Sequence, residues 1–249
     1  LGLPDGAQDL VTGYAVLADA VIDGDLIVEA APEKLDLKRS IFADLVRLSP
    51  KHAILTSNTS VIPITDIAMG LETGERILGT HWWNPPFLVP LVEVVGTANT
   101  DPNIVAETID VLAAVGKTPV HVKKDVPGFV GNRLQHALWR EAIAIVAEGI
   151  ADAETVDTVV KSSFGRRLAV LGPLENADLV GTDLTLDIHN VVLKHLNRDP
   201  GPSPYLRMLV ENGHLGMKSG EGFRAWTEDG ATKLRTRVSQ YLRNFNPVE

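Results

Sequence analysis

The sequence predicts an α/β domain with a largely parallel sheet, followed by an all-α domain. Two observations carry that reading. Up to residue 124, short apolar runs alternate with amphipathic helical stretches. After the turn chemistry of DVPG (125–128), helical periodicity takes over, and no convincing strand follows residue 124. The expected domains are therefore 1–124 and 125–249, and 249 residues suit two modest domains.

Each element has a local reason. DLIVEAAPE (25–33) places a short apolar run before a polar end, as a buried parallel strand does. KLDLKRSIFADLVRL (34–48) is amphipathic, with Leu37, Ile41, Leu45 and Leu48 at helical spacing. AILTSNTS (53–60) is a strand running into a polar loop, and ITDIAMGL (64–71) a short helix. RILGTHWW (76–83) and LVEVV (91–95) are further strands. PNIVAETIDVLAAVG (102–116) is a helix stopped by Gly116, and TPVHVKK (118–124) a last strand. Beyond DVPG, a long helical pattern covers 129–150. Shorter ones follow near 153–164, 174–196, 204–212 and 233–244. Ligands of open parallel sheets sit at the carboxyl ends of the strands. Three polar clusters lie at such ends: Glu29 to Glu33, Ser57 to Ser60, and His81 to Asn84. Three clusters on one rim predict a binding cleft facing the helical domain.

Composition narrows the class. A formal charge of −9 argues against nucleic acid or an anionic membrane as partner, since both need a basic surface. The chain has no cysteine, which excludes disulfides, thiolate nucleophiles and cysteine-bound zinc. No apolar run approaches the ~20 residues of a membrane span, and no signal peptide opens the sequence, so the cytoplasm is the expected location. The remaining histidines (52, 121, 136, 189, 195 and 214) lack ligand-like spacing, and no metal is assigned.

The stretch HWWNPPFLVPLVE (81–93) carries the chemistry. A histidine is the usual side chain for accepting a proton near neutral pH. A carboxylate on its second ring nitrogen fixes the tautomer and stabilises the charged ring. A strand, a turn stiffened by Pro85, Pro86 and Pro90, and a returning strand bring His81 and Glu93 close. Glu93 also interrupts an apolar strand, where an unpaired carboxylate is costly. A purely structural pair, or a Glu93 facing solvent on an edge strand, fits the same pattern.

GTHWWNPPFLVPLVEVV resembles the signature of the 3-hydroxyacyl-CoA dehydrogenase family, commonly H-F-F-N-P followed by L-V-E-V. SNTS (57–60), DVPGFVGNRL (125–134), GPLENADLVG (172–181) and LGMKSGEGF (215–223) resemble its other landmarks, in the family's order. The resemblance implies a Rossmann-type, NAD-binding sheet domain with a helical domain behind it, and a homodimer. It implies a dehydrogenase that passes hydride between NAD and the 3-hydroxyl of a small molecule, a 3-hydroxyacyl-CoA by the family's majority. His81 would be the general base and Glu93 its orienting partner. Ser60 and Asn132 would hydrogen-bond the reacting oxygen. Asn84 would line the nicotinamide end, and Glu33 and Lys38 match positions near the cofactor. Without the resemblance, Asn132 reads as an early-helix polar residue, Ser60 as a helix cap and Lys38 as a solvated helix charge. A non-catalytic binding or structural relative of the fold is the rival class.

Two features depart from the family's pattern. Arg166 and Arg167 stand where acyl-CoA enzymes tend to have small residues. With WREA (139–142) they resemble the gulonate and carnitine dehydrogenase branch, which acts on free hydroxy acids. Arginine pairs bidentately with a carboxylate, although both residues also suit a helix C-terminus. Trp82 and Trp83 replace the commoner phenylalanines and either narrow the cleft or fill core. Further, no G-x-G-x-x-G element precedes Asp25, where a dinucleotide fold needs one for the pyrophosphate. GEGFRA (220–225) lies outside any strand-and-helix unit. With Leu1 first, the sequence reads as a fragment lacking about 60 to 70 residues, judged from the size of such units. Titration of these 249 residues with NAD is therefore expected to show weak binding or none. Micromolar binding contradicts that expectation.

Overall fold

The computed structural model describes residues 6–244, which fall into two compact units divided between Arg133 and Leu134. In the first unit, a 3-10 turn (Ala7–Leu10) and α1 (Leu17–Val21) precede β1 (Leu26–Glu29). Then come α2 (Leu35–Leu48), β2 (Ile54–Ser57), α3 (Ile64–Ala68), β3 (Ile77–Trp82), β4 (Leu91–Gly96), α4 (Pro102–Ala114) and β5 (Thr118–Val122). The five strands pair in sequence order. Three of the pairings are parallel, and only β3 and β4 run antiparallel. The reason is length: residues 83–90 are too few for a parallel crossover, which needs a dozen or more. The expected α/β domain with a mostly parallel sheet is what forms. α1 was not anticipated, because five residues carry no readable period.

Both faces of the sheet are covered. Phe42 and Leu45 of α2 and Ile64 and Ile67 of α3 pack with Leu55, Ile77 and Val95 on one face. Val105 and Leu112 of α4 pack with Ile54, Leu78, Val92 and Val94 on the other. The strands therefore read as apolar runs rather than as alternating patterns. Gly79 of β3 makes room for α3, since a Cβ there would lie 2.7 Å from Ile64 Cδ1. The buried stripe of α2 is Lys38, Phe42 and Leu45, whereas the expected Leu37 is 38% exposed. The helix is rotated to bring a lysine inward, and the site below explains why.

In α4, Asp101 caps the helix by accepting from Asn103 N at 2.8 Å, with Pro102 in the first turn. After β5 the chain turns through Gly128 (φ 76°) and Phe129 (φ 49°) before α5 (Gly131–Ala147) begins. The left-handed conformation at Phe129 explains why α5 starts two residues later than the periodicity suggests.

The second unit is helical: the rest of α5, α6 (Ala153–Ser162), a 3-10 turn (Phe164–Arg166), α7 (Pro173–Val180), α8 (Thr182–Val192), α9 (Pro204–Glu211) and α10 (Glu228–Asn244). The helical stretch expected at 174–196 is two helices, broken at Gly181 (φ 105°), a conformation open to glycine. Among the described residues, only isolated bridges, Gly216 to Glu221 and Glu221 to Ala225, follow β5. No described helix is long and apolar enough to cross a membrane. The unit buries few large groups. Among the described residues, Ala144, Leu209 and Ala231 are its buried apolar residues, and α6, α7 and α8 bury none.

Candidate active site

The antiparallel pairing of β3 with β4 puts His81 directly opposite Glu93. Both side chains are buried, and His81 Nδ1 lies 2.7 Å from Glu93 Oε2. A carboxylate accepts, so Nδ1 carries the proton and Nε2 is left with its lone pair. Nε2 has no partner among the described residues. The His81 side chain as a whole is only 5% exposed. Trp83 and Phe129 flank the imidazole at ring-centroid distances of 5.3 and 5.7 Å.

Glu93 has more partners than its histidine. Its Oε1 accepts from Val130 N at 2.9 Å and from Gly131 N at 3.0 Å, the first amides of α5. Its Oε2 accepts from Trp83 Nε1 at 3.3 Å as well as from His81. Burial pushes the Glu93 carboxyl up, but the bonds from His81, Gly131 and Val130 outweigh it. They hold the group below its ordinary value of 4.5. The left-handed turn at Phe129 aims those two amides at the carboxylate, and strain of this kind costs on the order of 1–3 kcal/mol.

A second cluster lies at the carboxyl ends of β1 and β2. Lys38 is fully buried and is therefore not a solvated helix charge. Its Nζ donates to both Glu29 oxygens at 3.0 Å and to Ala31 O at 3.1 Å. Glu29 Oε2 accepts from Ser57 Oγ at 2.6 Å, and Oε1 from Ala31 N. Lys38 Nζ also stands 3.5 Å from Glu33 Oε2. Glu33 Oε1 in turn accepts from Thr59 Oγ1 at 2.6 Å, Ser60 N at 3.0 Å and Val61 N at 3.1 Å. Burial pushes the Glu33 carboxyl up, yet Thr59, the two amides and Lys38 hold it below 4.5.

Ser60 and Asn132 meet, though not through the serine hydroxyl: Asn132 Nδ2 donates to Ser60 O at 2.9 Å. Ser60 does not cap α3, whose first amides, Ile64 N and Thr65 N, donate to the Asp125 carboxylate. Asn132 follows Gly131 directly, so one turn of α5 serves both Glu93 and the Ser60 loop. The side chain of Asn84 is exposed and bonds to no described residue, and its peptide with Pro85 is cis. Asn58 Oδ1 accepts from Trp82 N at 2.9 Å and ties the loop after β2 to the end of β3. Sequence reasoning placed Glu29 and Asn58 only within polar clusters at strand ends, with no role of their own, and did not single out the Val130 and Gly131 amides. Glu29 gave the one available signal, a carboxylate ending an apolar strand.

Comparison with known proteins fits this geometry. The family model "3-hydroxyacyl-CoA dehydrogenase, NAD binding domain" matches residues 4–126, and "3-hydroxyacyl-CoA dehydrogenase, C-terminal domain" matches residues 128–226. The chain belongs to the 3-hydroxyacyl-CoA dehydrogenase family. It is thereby placed among NAD-dependent oxidoreductases, which sets the non-catalytic alternative aside. The chain is 34% identical over 242 residues to 5-formyl-3-hydroxy-2-methylpyridine 4-carboxylate 5-dehydrogenase of Mesorhizobium japonicum, covering 97% of this chain and 78% of the relative. A crystal structure bearing that enzyme's name superposes with a TM-score of 0.87 at 35% identity, covering 91% of this chain and 74% of the other. L-carnitine dehydrogenase of Streptomyces griseus is 42% identical over 182 residues, 73% of this chain and 54% of its own length. A probable 3-hydroxybutyryl-CoA dehydrogenase of Bacillus subtilis is 38% identical over 205 residues, 82% of this chain and 70% of its own. The chain thus spans only about half of the carnitine enzyme.

Glu93 has a folded-state pKa below its unfolded value, so its stabilisation is present above pH 4.5 and is lost as pH falls through the folded value. Glu93→Gln cannot satisfy donors on both oxygens and is expected to cost about 1–3 kcal/mol near neutrality. Denaturation as a function of pH should show a shallower acid loss in Glu93→Gln than in the wild type. Identical slopes would mean that the carboxylate is not held as described.

Proposed function

We propose that the chain transfers hydride between NAD and the hydroxyl-bearing carbon of a small hydroxy acid with a free carboxylate, using His81 as the proton acceptor. The observation that carries the reading is the bond from His81 Nδ1 to the buried Glu93 carboxylate. It leaves Nε2 with its lone pair and without a partner among the described residues. In oxidation, Nε2 takes the hydroxyl proton, and the imidazolium that forms is stabilised by Glu93. NAD, when bound, accepts the hydride. In reduction, the imidazolium returns the proton to the carbonyl oxygen. Ser60, whose hydroxyl has no hydrogen-bond partner among the described residues, and Asn132 are assigned to the reacting oxygen, where charge gathers.

The residues present suit the nicotinamide end of a dinucleotide, whereas the sequence holds no G-x-G-x-x-G element ahead of β1 for the pyrophosphate. Polar groups cluster at the carboxyl ends of β1, β2 and β3, where open parallel sheets take ligands. Asn84 is assigned to the nicotinamide end, its side-chain amide bonding to no described residue. Glu33 and Lys38 serve the cofactor side by holding the loop through Thr59 to Val61, since their charged atoms are already committed to protein partners.

Two observations support a free acid over the thioester suggested by the family's majority. The relatives named for a pyridine carboxylate and for carnitine support it. So do the exposed guanidinium groups of Arg166 and Arg167, which bond to no described residue. The thioester reading keeps support from the 3-hydroxybutyryl-CoA dehydrogenase relative. With these 249 residues joined to a complete glycine-loop unit, NADH formation from matched hydroxy acid and hydroxyacyl-CoA substrates separates the two. His81→Ala should lower kcat by about 10²- to 10⁴-fold, the usual worth of a general base, while NAD affinity changes little. Unchanged kcat in His81→Ala would remove the proposed mechanism.

We further infer a homodimer through the helical unit. Leu174, Leu179, Leu186 and Val191 of α7 and α8 are 79, 73, 60 and 67% exposed, in a unit with few buried apolar residues. Apolar surface on this scale marks an interaction face. Sedimentation of the chain should give a dimer mass, and charged substitutions at Leu179 and Val191 should yield monomer. A monomeric wild type would refute the inference.

A further inference from the structure

We infer that Trp83 is a positioning residue for the His81–Glu93 pair, acting through its indole N–H. The proposal rests on the reading of His81 as proton acceptor and adds a component that sequence analysis left between core filler and cleft wall.

Three observations within the first unit carry it. First, the indole Nε1 donates to Glu93 Oε2, the same oxygen that accepts from His81 Nδ1. A carboxylate offers about four acceptor sites, and all are taken here: two by the Val130 and Gly131 amides on Oε1, two by His81 and Trp83 on Oε2. Second, the indole is wedged in place. A Cβ on Gly131 would overlap the Trp83 ring, so α5 begins against the indole with no side chain between them. Third, the neighbouring tryptophan behaves differently. Trp82 Nε1 is buried without a partner, so the bond made by Trp83 reflects its placement and not a general property of the pair.

The consequence is electronic as well as steric. Two donors on one oxygen share its charge. The indole N–H therefore moderates the pull of Glu93 on the Nδ1 proton, and it fixes the rotation of the carboxylate that the imidazole follows. A phenylalanine fills similar space and cannot donate. The groups placed around the imidazole are Glu93 from β4, Trp83 from the loop after β3, and Phe129 ahead of α5. Of these only Glu93 is charged, so loss of the indole N–H acts through that carboxylate alone.

The test replaces Trp83 with phenylalanine and, in a second protein, with β-(3-benzothienyl)alanine. The second keeps the bicyclic ring and removes only the N–H, so packing survives. The readout is the His81 Nδ1 proton resonance in NMR, which needs neither cofactor nor turnover. In both variants it should move downfield, as the bond to Glu93 strengthens when the competing donor is lost. An unmoved resonance in the folded benzothienyl variant overturns the proposal. With the assayed enzyme, the acid limb of the kcat/KM profile should move to higher pH. The fall in kcat should stay well short of the ~10²-fold loss caused by removing a general base. A shifted resonance with an unmoved acid limb would keep Trp83 as the positioning residue and count against His81 as the base.

Discussion

A carboxylate in the middle of an apolar strand is expensive unless donors meet it on both oxygens. Glu93 occupies such a place, and much of the first unit converges on satisfying it. β3 returns as β4 through a loop too short to cross over, which sets His81 opposite. Gly128 and Phe129 take left-handed conformations, which turns the opening amides of α5 toward the second oxygen. Gly131 lacks a side chain, which admits the Trp83 indole. The imidazole is then held by a charge that cannot rotate away, and only its outer nitrogen is left to react.

The second polar cluster follows the same logic one step removed. Lys38 is drawn into the protein because Glu29 is there to receive it, and that rotates α2 away from the face its leucines suggest. Glu33 completes the chain by gripping the loop after β2 through three donors. That loop presents Ser60, and Asn132 holds the same residue from α5. Two acidic residues with depressed pKa values thus keep two loops in register, one for the base and one for the groups assigned to the substrate oxygen.

Much of this was legible in the sequence. The sheet and its helices followed from period and spacing, and His81 with Glu93 followed from a strand, a proline-rich turn and a returning strand. What stayed hidden has physical reasons. Backbone amides such as those of Val130 and Gly131 leave no trace in side-chain chemistry. The inward turn of Lys38 depends on Glu29, nine residues earlier, and a helical pattern taken alone favours Leu37. The break at Gly181 is one left-handed residue inside an otherwise continuous apolar period. The indole of Trp83 reads as bulk until its N–H is seen to have an acceptor.

The central claim is that Glu93 fixes His81 with its proton on Nδ1 and its reactive lone pair on Nε2. Nitrogen-15 NMR of the histidine-labelled wild-type protein, at a pH where the ring is neutral, reads the tautomer directly. The account predicts the Nδ1–H form for His81. A neutral ring protonated on Nε2 would contradict it, because the nitrogen facing Glu93 would then hold no proton to donate and the outer nitrogen no lone pair to react.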